Sequence, residues 1–476
     1  MARPAGPWAD WSAATADLDP PFAVLDRDAL LANAADLVRR AAGTPVRIAS
    51  KSLRVRGVLE ELLRRDGFAG VLAFTLPEAL WLARTCPDVV VGYPTADRAA
   101  IAELAGSEAA CRVVTLMIDD VAQLDLIDSV APPATRPTLR VCLELDASWK
   151  GPPPLGRLGA WRSPLYTPDA VRSLAVEVAR RPGFTLVGLM AYEAQIAGVS
   201  DALPGRAVMN AVVAWMKSRS EAELSERRSL TVAAVAEVAP LEFVNGGGTG
   251  SIESTIRDGS VTEVAAGSGL FAGHYFDSYA AFTPRPATGF ALSVVRKPRP
   301  DCVTVLGGGW IASGPPGQDR LPLVAHPAGL RMLAREGAGE VQTPLEGDAA
   351  RTLGVGDRVW FRHAKSGELS ERINEFVVVG AASSSTGCRP IAARERHSCE
   401  GRRMAELGRT IQVRPARVER PGASRRWPRS SVGRVRRHPA QGGRRRTQLQ
   451  RDRRGRRGAD EPRRHRRPDL GRPGDA

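Results

Sequence analysis

The chain has 476 residues, 25% of them charged and 43% hydrophobic, with a formal net charge of +15. That length carries a large core and points to two domains. The charge is unevenly placed: 28 of the 67 basic and 9 of the 52 acidic residues fall in 381–476, so residues 1–380 carry a net −4 and the basicity belongs to the tail.

The N-terminal MARPAGPWADWSAATADLDP lacks the uninterrupted apolar core of a signal peptide, and no run is long enough to cross a bilayer. PPFAVLD (20–26) reads as a short strand. Apolar strands then alternate with helical patterns: VRIAS (46–50), GVLAF (70–74), VVVG (89–92), RVVTLM (112–117), LRVCLEL (139–145), FTLVGLM (184–190), LEFVN (241–245) and VTEVAA (261–266). Helix-period stretches lie between them, including 55–65, 77–85, 170–181 and 209–224. Near-continuous apolar strands separated by amphipathic helices indicate a parallel sheet covered on both faces. Eight such units predict a closed (β/α)8 barrel over 27–281. From 282 to 380 the pattern turns to strands at 290–297, 302–313, 358–364 and 373–379, punctuated by PRP, GPPG and GVGD. That is an all-β second domain, and 20–26 joins it because it has no βα partner.

Six cysteines, Cys86, Cys111, Cys142, Cys302, Cys388 and Cys399, show no CxxC or paired spacing. This fits reduced thiols in a cytoplasmic protein better than a disulfide framework.

In a barrel of this type, working residues cluster at the C-terminal ends of the strands. Lys51 directly follows the first strand in VRIASKSLRV. Alone, it reads as a solvated lysine at a strand exit; its place on the active rim opens the reading of a covalent amine. The seventh strand exits into NGGGTGS, where Gly246, Gly247, Gly248 and Gly250 let backbone N–H groups approach an anion, and Thr249 and Ser251 add hydroxyls. The eighth exits into Gly267-Ser268-Gly269. Barrel phosphate sites are frequently built from these two loops. A lysine at one strand end facing a phosphate cradle describes a pyridoxal 5'-phosphate site, with burial lowering the lysine pKa so that a neutral amine is available for a Schiff base.

The stretches PPFAVLD, RIASKS, AFTLPEALWL, VGYPTADRA, GLMAYEAQIAG, PLEFVNGGGTGS, EVAAGSGL, GEVQTPL and RVWFRHAKSGEL together span about 20–379. In them the sequence resembles the alanine-racemase-type pyridoxal enzymes of fold type III, within them the D-threonine aldolase and D-serine dehydratase branch. The resemblance implies Lys51 as the Schiff-base lysine. It implies a phosphate held by Asn245, Gly247, Gly248, Thr249 and Gly250 together with Gly267, Ser268 and Gly269. It places Tyr192 at the ring or substrate side, although a core tyrosine with a satisfied hydroxyl is an equal reading. Arg157 in GRLG resembles the arginine beside the pyridine nitrogen; Arg162 competes with it, and a solvated loop charge is the alternative reading of either. Dimerisation is implied by the same analogy.

The branch generally carries a metal on a His-x-Cys pair. Here the stretch is His363-Ala364-Lys365, and Ser370 supplies no thiolate, so no metal ligand set is expected even though the family admits a divalent metal. His363 is then a general base on the β-hydroxyl of a substrate, with Lys365 beside it, or a strand histidine at the domain interface.

The tail from 381 is Arg-rich and lacks lysine. It reads as a disordered basic arm that binds nucleic acid, or as sequence translated out of frame. Shifted back one base, GCRPIAARE (387–395) is compatible with VPTYRGEG, which resembles the family's closing segment. Shifted forward, MAELGRT permits WRNWAG and RRRTQLQ permits GGGHSFS, which resemble the start of FAD-linked sugar-lactone oxidases. The out-of-frame reading is preferred: no genuine nucleic-acid partner is then expected, and the activity of a chain lacking its own closing segment is in question.

Three functions follow. The first is a lyase on D-β-hydroxy amino acids, by elimination or retro-aldol cleavage. The second is a racemase, which needs a second base, usually a tyrosine from the β domain; the five tyrosines all fall outside its strands, which counts against it. The third is the nucleic-acid binder, resting on the tail.

Overall fold

A computed structural model describes residues 6–315, 317–380 and 412–415, all within one compact unit. Eight parallel strands close into a barrel in chain order: Val46–Ala49, Phe68–Ala73, Val89–Val91, Val114–Ile118, Leu139–Glu144, Phe184–Ala191, Phe243–Gly246 and Glu263–Ala266. Side chains alternate across each strand. One set, including Val46, Ile48, Val71, Val141 and Val264, packs outward under the helices. The other, including Ala49, Leu72, Val90, Met117, Cys142, Met190 and Phe243, fills the barrel. Both faces are buried, which explains why the strands read as near-continuous apolar runs.

The fourth strand begins two residues later than its apolar run suggests. Ser107 accepts a hydrogen bond from the Ala110 N–H and starts a helix, Glu108–Val113, that takes in Arg112 and Val113. The helix expected at 209–224 runs much further, Ala207–Ala236. A hairpin, Trp149–Lys150 with Arg157–Leu158, interrupts the connection after strand five.

The second domain is a mostly antiparallel sheet built around Thr288–Arg299. Phe22–Asp26 pairs antiparallel with that strand and parallel with Glu375–Val379. Phe22 and Val24 face a cluster of Trp8, Trp11 and Trp360, while Ala23 and Leu25 face the main core. A single five-residue strand thus bonds two layers. Asp26 then caps the first barrel helix, Arg27–Arg40, its carboxylate accepting from the Ala29 N–H at 2.9 Å. The strand expected over 302–313 stops at Leu306, because Gly307 and Gly308 take positive φ of 87° and 116° and turn the chain out of the ladder. Leu323–His326, Arg331–Met332 and Gln342–Glu346 add strands beyond the four expected runs, and Trp8–Ala14 adds a helix.

Of the tail, the structure describes Gln412–Pro415, a strand parallel to Glu375–Val379. The rest of 381–476, and with it both readings of the tail, lies outside the described residues. Among the described residues no helix is long and apolar enough to cross a membrane, and Cys86, Cys111, Cys142 and Cys302 are free and buried.

Candidate active site

The C-terminal ends of the barrel strands open into a pocket with a cavity volume of about 90 Å3. Its wall includes Lys51, Tyr93, Arg162, Tyr192, Gly247, Gly248, Thr249, Gly267, Ser268 and Lys365. Six strand ends and the β domain therefore converge on one space.

Lys51 sits in a single 3-10 turn, Ser50–Ser52, directly after strand one. Its neighbours are tied down on both sides. The Ser50 hydroxyl donates to Glu78 at 3.0 Å, and the Ser52 and Ser268 hydroxyls lie 3.1 Å apart. Across the domain boundary, Ser370 donates to the Leu53 carbonyl at 2.7 Å, and Arg54 pairs with Glu371 at 2.7 Å. The backbone is held while the side chain projects into the mouth, exposed. The expectation of a buried lysine is thus corrected: the 3-10 turn carries Lys51 onto the open rim. Its Nζ donates to the Tyr93 hydroxyl at 2.5 Å.

Opposite stands the glycine loop. Gly247 takes φ of 87°, a conformation that costs a side-chain-bearing residue. The loop is anchored from behind by Glu193 of AYEAQ, whose carboxylate accepts from the Gly247 N–H at 3.0 Å and from the Thr255 hydroxyl. Glu193 is in turn paired with buried Arg228, which also meets Asp258 at 2.9 Å. A Cβ on Gly267 would lie 2.6 Å from the Ala49 carbonyl, so only glycine lets the second loop close against strand one. These two loops and Lys51 share the pocket.

Several expected residues stand elsewhere. Gly250 packs behind the wall against Ala197 and Tyr279, and the Gly269 N–H donates to Thr249 at 3.0 Å. Asn245 points down the barrel, donating to Glu263 at 2.8 Å. Arg157 lies in the hairpin between Trp161 and Tyr166, bonded to Ser148 at 2.6 Å and paired with Asp146 at 3.1 Å. Its competitor Arg162 lines the pocket, with its guanidinium 5.2 Å from the Tyr93 ring centre and 4.0 Å from Glu144. His363 is 1% exposed in the β domain and is not on the pocket wall; its Nδ1 faces the Thr288 hydroxyl at 3.1 Å. Burial lowers it to about 4, so the ring is neutral. The strand end turns its ring into the core, while Lys365, two residues on, faces the pocket.

The pocket's electrostatics follow from burial beside cations. Burial raises Glu144 to about 7, against the pull of Arg162. It raises Tyr192 to about 12, with Tyr93 and Glu193 adding to the effect, so Tyr192 is a neutral donor. Lys365 is lowered by burial and by the nearby Arg320 and Lys51. Burial alone would raise Tyr93, but Lys51 and Arg162 outweigh it and hold the phenol below its usual range. Tyr93 and Glu193 escaped the sequence reading, although both stand in stretches that carried the resemblance. The available signal was position, since each follows a barrel strand on the working rim.

Two groups implied by the family can be tested against these residues. Pyridoxal phosphate needs an accessible primary amine, an anion cradle and room for a ring. Lys51, the turns at Gly247–Thr249 and Gly267–Ser268 with the Ser52 hydroxyl, and the pocket between them fit it. A divalent metal is not fitted. His363 Nε2 is buried without a hydrogen-bond partner, but the side chain two residues on is an ammonium, and no group of three or more His, Cys, Asp or Glu that could hold an ion occurs among the described residues.

Comparison with known proteins agrees with this architecture. The D-threonine aldolase from Filomicrobium marinum superposes with a TM-score of 0.63 at 20% identity, covering 76% of this chain and 92% of that one. The D-threo-3-hydroxyaspartate dehydratase from Delftia sp. HT23 gives 0.58 at 20% identity, covering 76% and 94%. In sequence, the chain is 30% identical over 262 residues to the 3-hydroxy-D-aspartate aldolase of Paracoccus denitrificans (strain Pd 1222), covering 54% of this chain and 61% of that relative's length. Residues 25–273 match the family described as alanine racemase, N-terminal domain. From its barrel, its rim lysine and that match, the chain belongs to the alanine racemase N-terminal domain family.

Proposed function

We propose that the barrel mouth binds pyridoxal 5'-phosphate at Lys51 and that the chain is a lyase acting on D-β-hydroxy amino acids, by elimination or retro-aldol cleavage. The carrying observation is that Lys51 and the two glycine turns line one pocket. The relatives named for aldol cleavage and dehydration of such amino acids support the choice of reaction class. When bound, the cofactor supplies an aldehyde for the amine and an electron sink for bond cleavage at the substrate α-carbon.

The chain's own residues divide the remaining work. The hydroxyls of Ser52, Thr249 and Ser268 bind the phosphate at the two glycine turns, whose shape is held from behind by the Gly247 N–H on Glu193 and the Gly248 N–H on Ser251. Arg162, rather than Arg157, is the cation available to the ring. Lys51 Nζ holds the proton exchanged at the α-carbon. The Tyr192 phenol, neutral at pH 7, donates to substrate or ring, and Lys365 orients an anionic or hydroxyl group on the substrate's far side. The setting is cytoplasmic, and the assembly a homodimer.

The test uses the purified full chain incubated with pyridoxal phosphate and reduced with borohydride. The phosphopyridoxyl label is expected on the peptide containing Lys51 and is lost in Lys51→Ala. With D-serine and D-threonine, ammonia marks elimination, glycine marks aldol cleavage, and the mirror-image amino acid marks racemisation. Labelling of another lysine, with Lys51 untouched, overturns the site.

A further inference from the structure

Lys51 enters the pocket with a partner. Tyr93 leaves strand three just after Gly92, and its hydroxyl lies 2.5 Å from Lys51 Nζ, with the amine 5.2 Å from the ring centre. Arg162 flanks the same phenol from the loop after strand five and reaches toward Glu144 at 4.0 Å. Ammonium, phenol, guanidinium and carboxyl therefore alternate across the mouth, brought together from three different strand ends.

A lysine attacks an aldehyde only as the free amine. An ordinary lysine at pH 7 is in that form in roughly one molecule in a few thousand. Burial is one route to a larger fraction, but Lys51 is exposed on the rim. The other route is a base in contact. We propose that Tyr93 is the proton partner of Lys51: it takes the proton from Nζ when the amine must be free and returns it when the amine is released. The proposal rests on Lys51 being the cofactor lysine.

The step balances within the pair. One N–H bond of the ammonium breaks, one O–H bond forms on the phenolate, and an ion pair becomes a neutral amine beside a neutral phenol. No other reactant is consumed. Two cations beside a half-buried phenol favour the phenolate that begins this exchange. The other groups that face the pair are Tyr192 after strand six, Lys365 from the β domain and Glu144 at the end of strand five; Asp119 after strand four acts on Glu144. Tyr93 works through Lys51 and is a positioning residue.

Two measurements test it. The cofactor-free full chain is titrated by tyrosinate absorbance in the near-ultraviolet. Of its five tyrosines, one is expected to ionise ahead of the rest; that step is lost in Tyr93→Phe and moves up in pH in Lys51→Met. An early step that survives in Tyr93→Phe, or none in the wild type, overturns the proposal. The second measurement is the rate of borohydride-trappable labelling by pyridoxal phosphate as a function of pH. Tyr93→Phe is expected to be at least roughly tenfold slower at pH 7 and to recover toward pH 10, shifting the profile alkaline. A uniform slowing with an unmoved profile marks a merely structural tyrosine and overturns the proposal. If Lys51→Met labels like the wild type, the lysine assignment itself falls. If Lys51→Met loses the label while Tyr93→Phe keeps the wild-type profile, only the role of Tyr93 falls.

Discussion

At the N-terminal end of the barrel, Arg47 is 2% exposed and donates to both oxygens of Glu263, at 2.7 and 2.8 Å, and to Asp88 at 2.7 Å. At the C-terminal end, Lys51 is exposed, bonded to a phenol, with Arg162 loosely paired at 4.0 Å from Glu144. One cluster begins on strand one and the other in the turn that directly follows it, four residues on. In the first, a buried guanidinium is committed to carboxylates, and its geometry ties strands one and eight together. In the second, cations stand at an open pocket with donor capacity to spare. Buried pairs whose charges are spent on each other hold register; perturbed groups with access to a pocket are where chemistry can be recruited.

Removing the Arg47 side chain breaks this comparison hardest. Arg47→Met leaves Glu263 buried beside Asn245 with no cation, and is expected to lower stability by about 3–5 kcal/mol in urea unfolding. A cost under about 1 kcal/mol would mean that the bottom cluster is as loosely held as the rim. Glu193→Gln sharpens the contrast from within the rim. It keeps an acceptor for the glycine loop but strips Arg228 of one of its two carboxylates. About 1–3 kcal/mol is expected to be lost, together with retention of pyridoxal phosphate on gel filtration. Retention unchanged at reduced stability would separate Glu193 from the site.

The two arginines on the strand-five connection provide a third test. Arg162→Met is expected to weaken pyridoxal phosphate binding roughly tenfold, the scale of one charge-assisted hydrogen bond, while Arg157→Met stays within about twofold. The reverse order, read by fluorescence titration, would restore Arg157.

The smallest effect is on pH dependence. Burial lifts Glu78 to about 7, partly offset by the Phe74 N–H and the Ser50 hydroxyl. The folded protein binds that proton more tightly than the unfolded chain. Its contribution is complete below the ordinary carboxylate range and lost as pH rises through about 7. Glu78→Gln should flatten stability between about pH 5 and pH 8. His363, depressed to about 4, works on the opposite limb: its contribution is present above the ordinary histidine range and lost as pH falls through about 4. Thermal melts across pH on His363→Gln and Glu78→Gln separate the two limbs, and a wild-type slope in both would remove these groups from the account.

Much of the architecture was legible in the chain. Apolar runs of four to seven residues, spaced by amphipathic helices, identified all eight barrel strands, because parallel strands covered on both faces have little choice but to be apolar throughout. The position of Lys51 and of the two glycine turns followed from connectivity alone. Boundaries failed where local chemistry overrode periodicity, as with the Ser107 cap and the positive φ of Gly307. The short strands at 323–326 and 331–332 went unread because edge pairing over a few residues leaves no alternation to detect, and 342–346, paired on both sides, carries Pro344 in its middle, which argues against a strand.

What the sequence by itself determined is the barrel, the strand-end lysine and the glycine loops, since each is a property of one contiguous segment. Only the tertiary structure decided which side chains meet. Arg162 and not Arg157 reaches the mouth, Lys365 and not His363 faces it, Asn245 turns down the barrel, and Tyr93 meets Lys51 from two strands away. The reason is that orientation at a strand end depends on how neighbouring segments pack against it, and those neighbours are supplied by closure of the sheet, which no local pattern encodes.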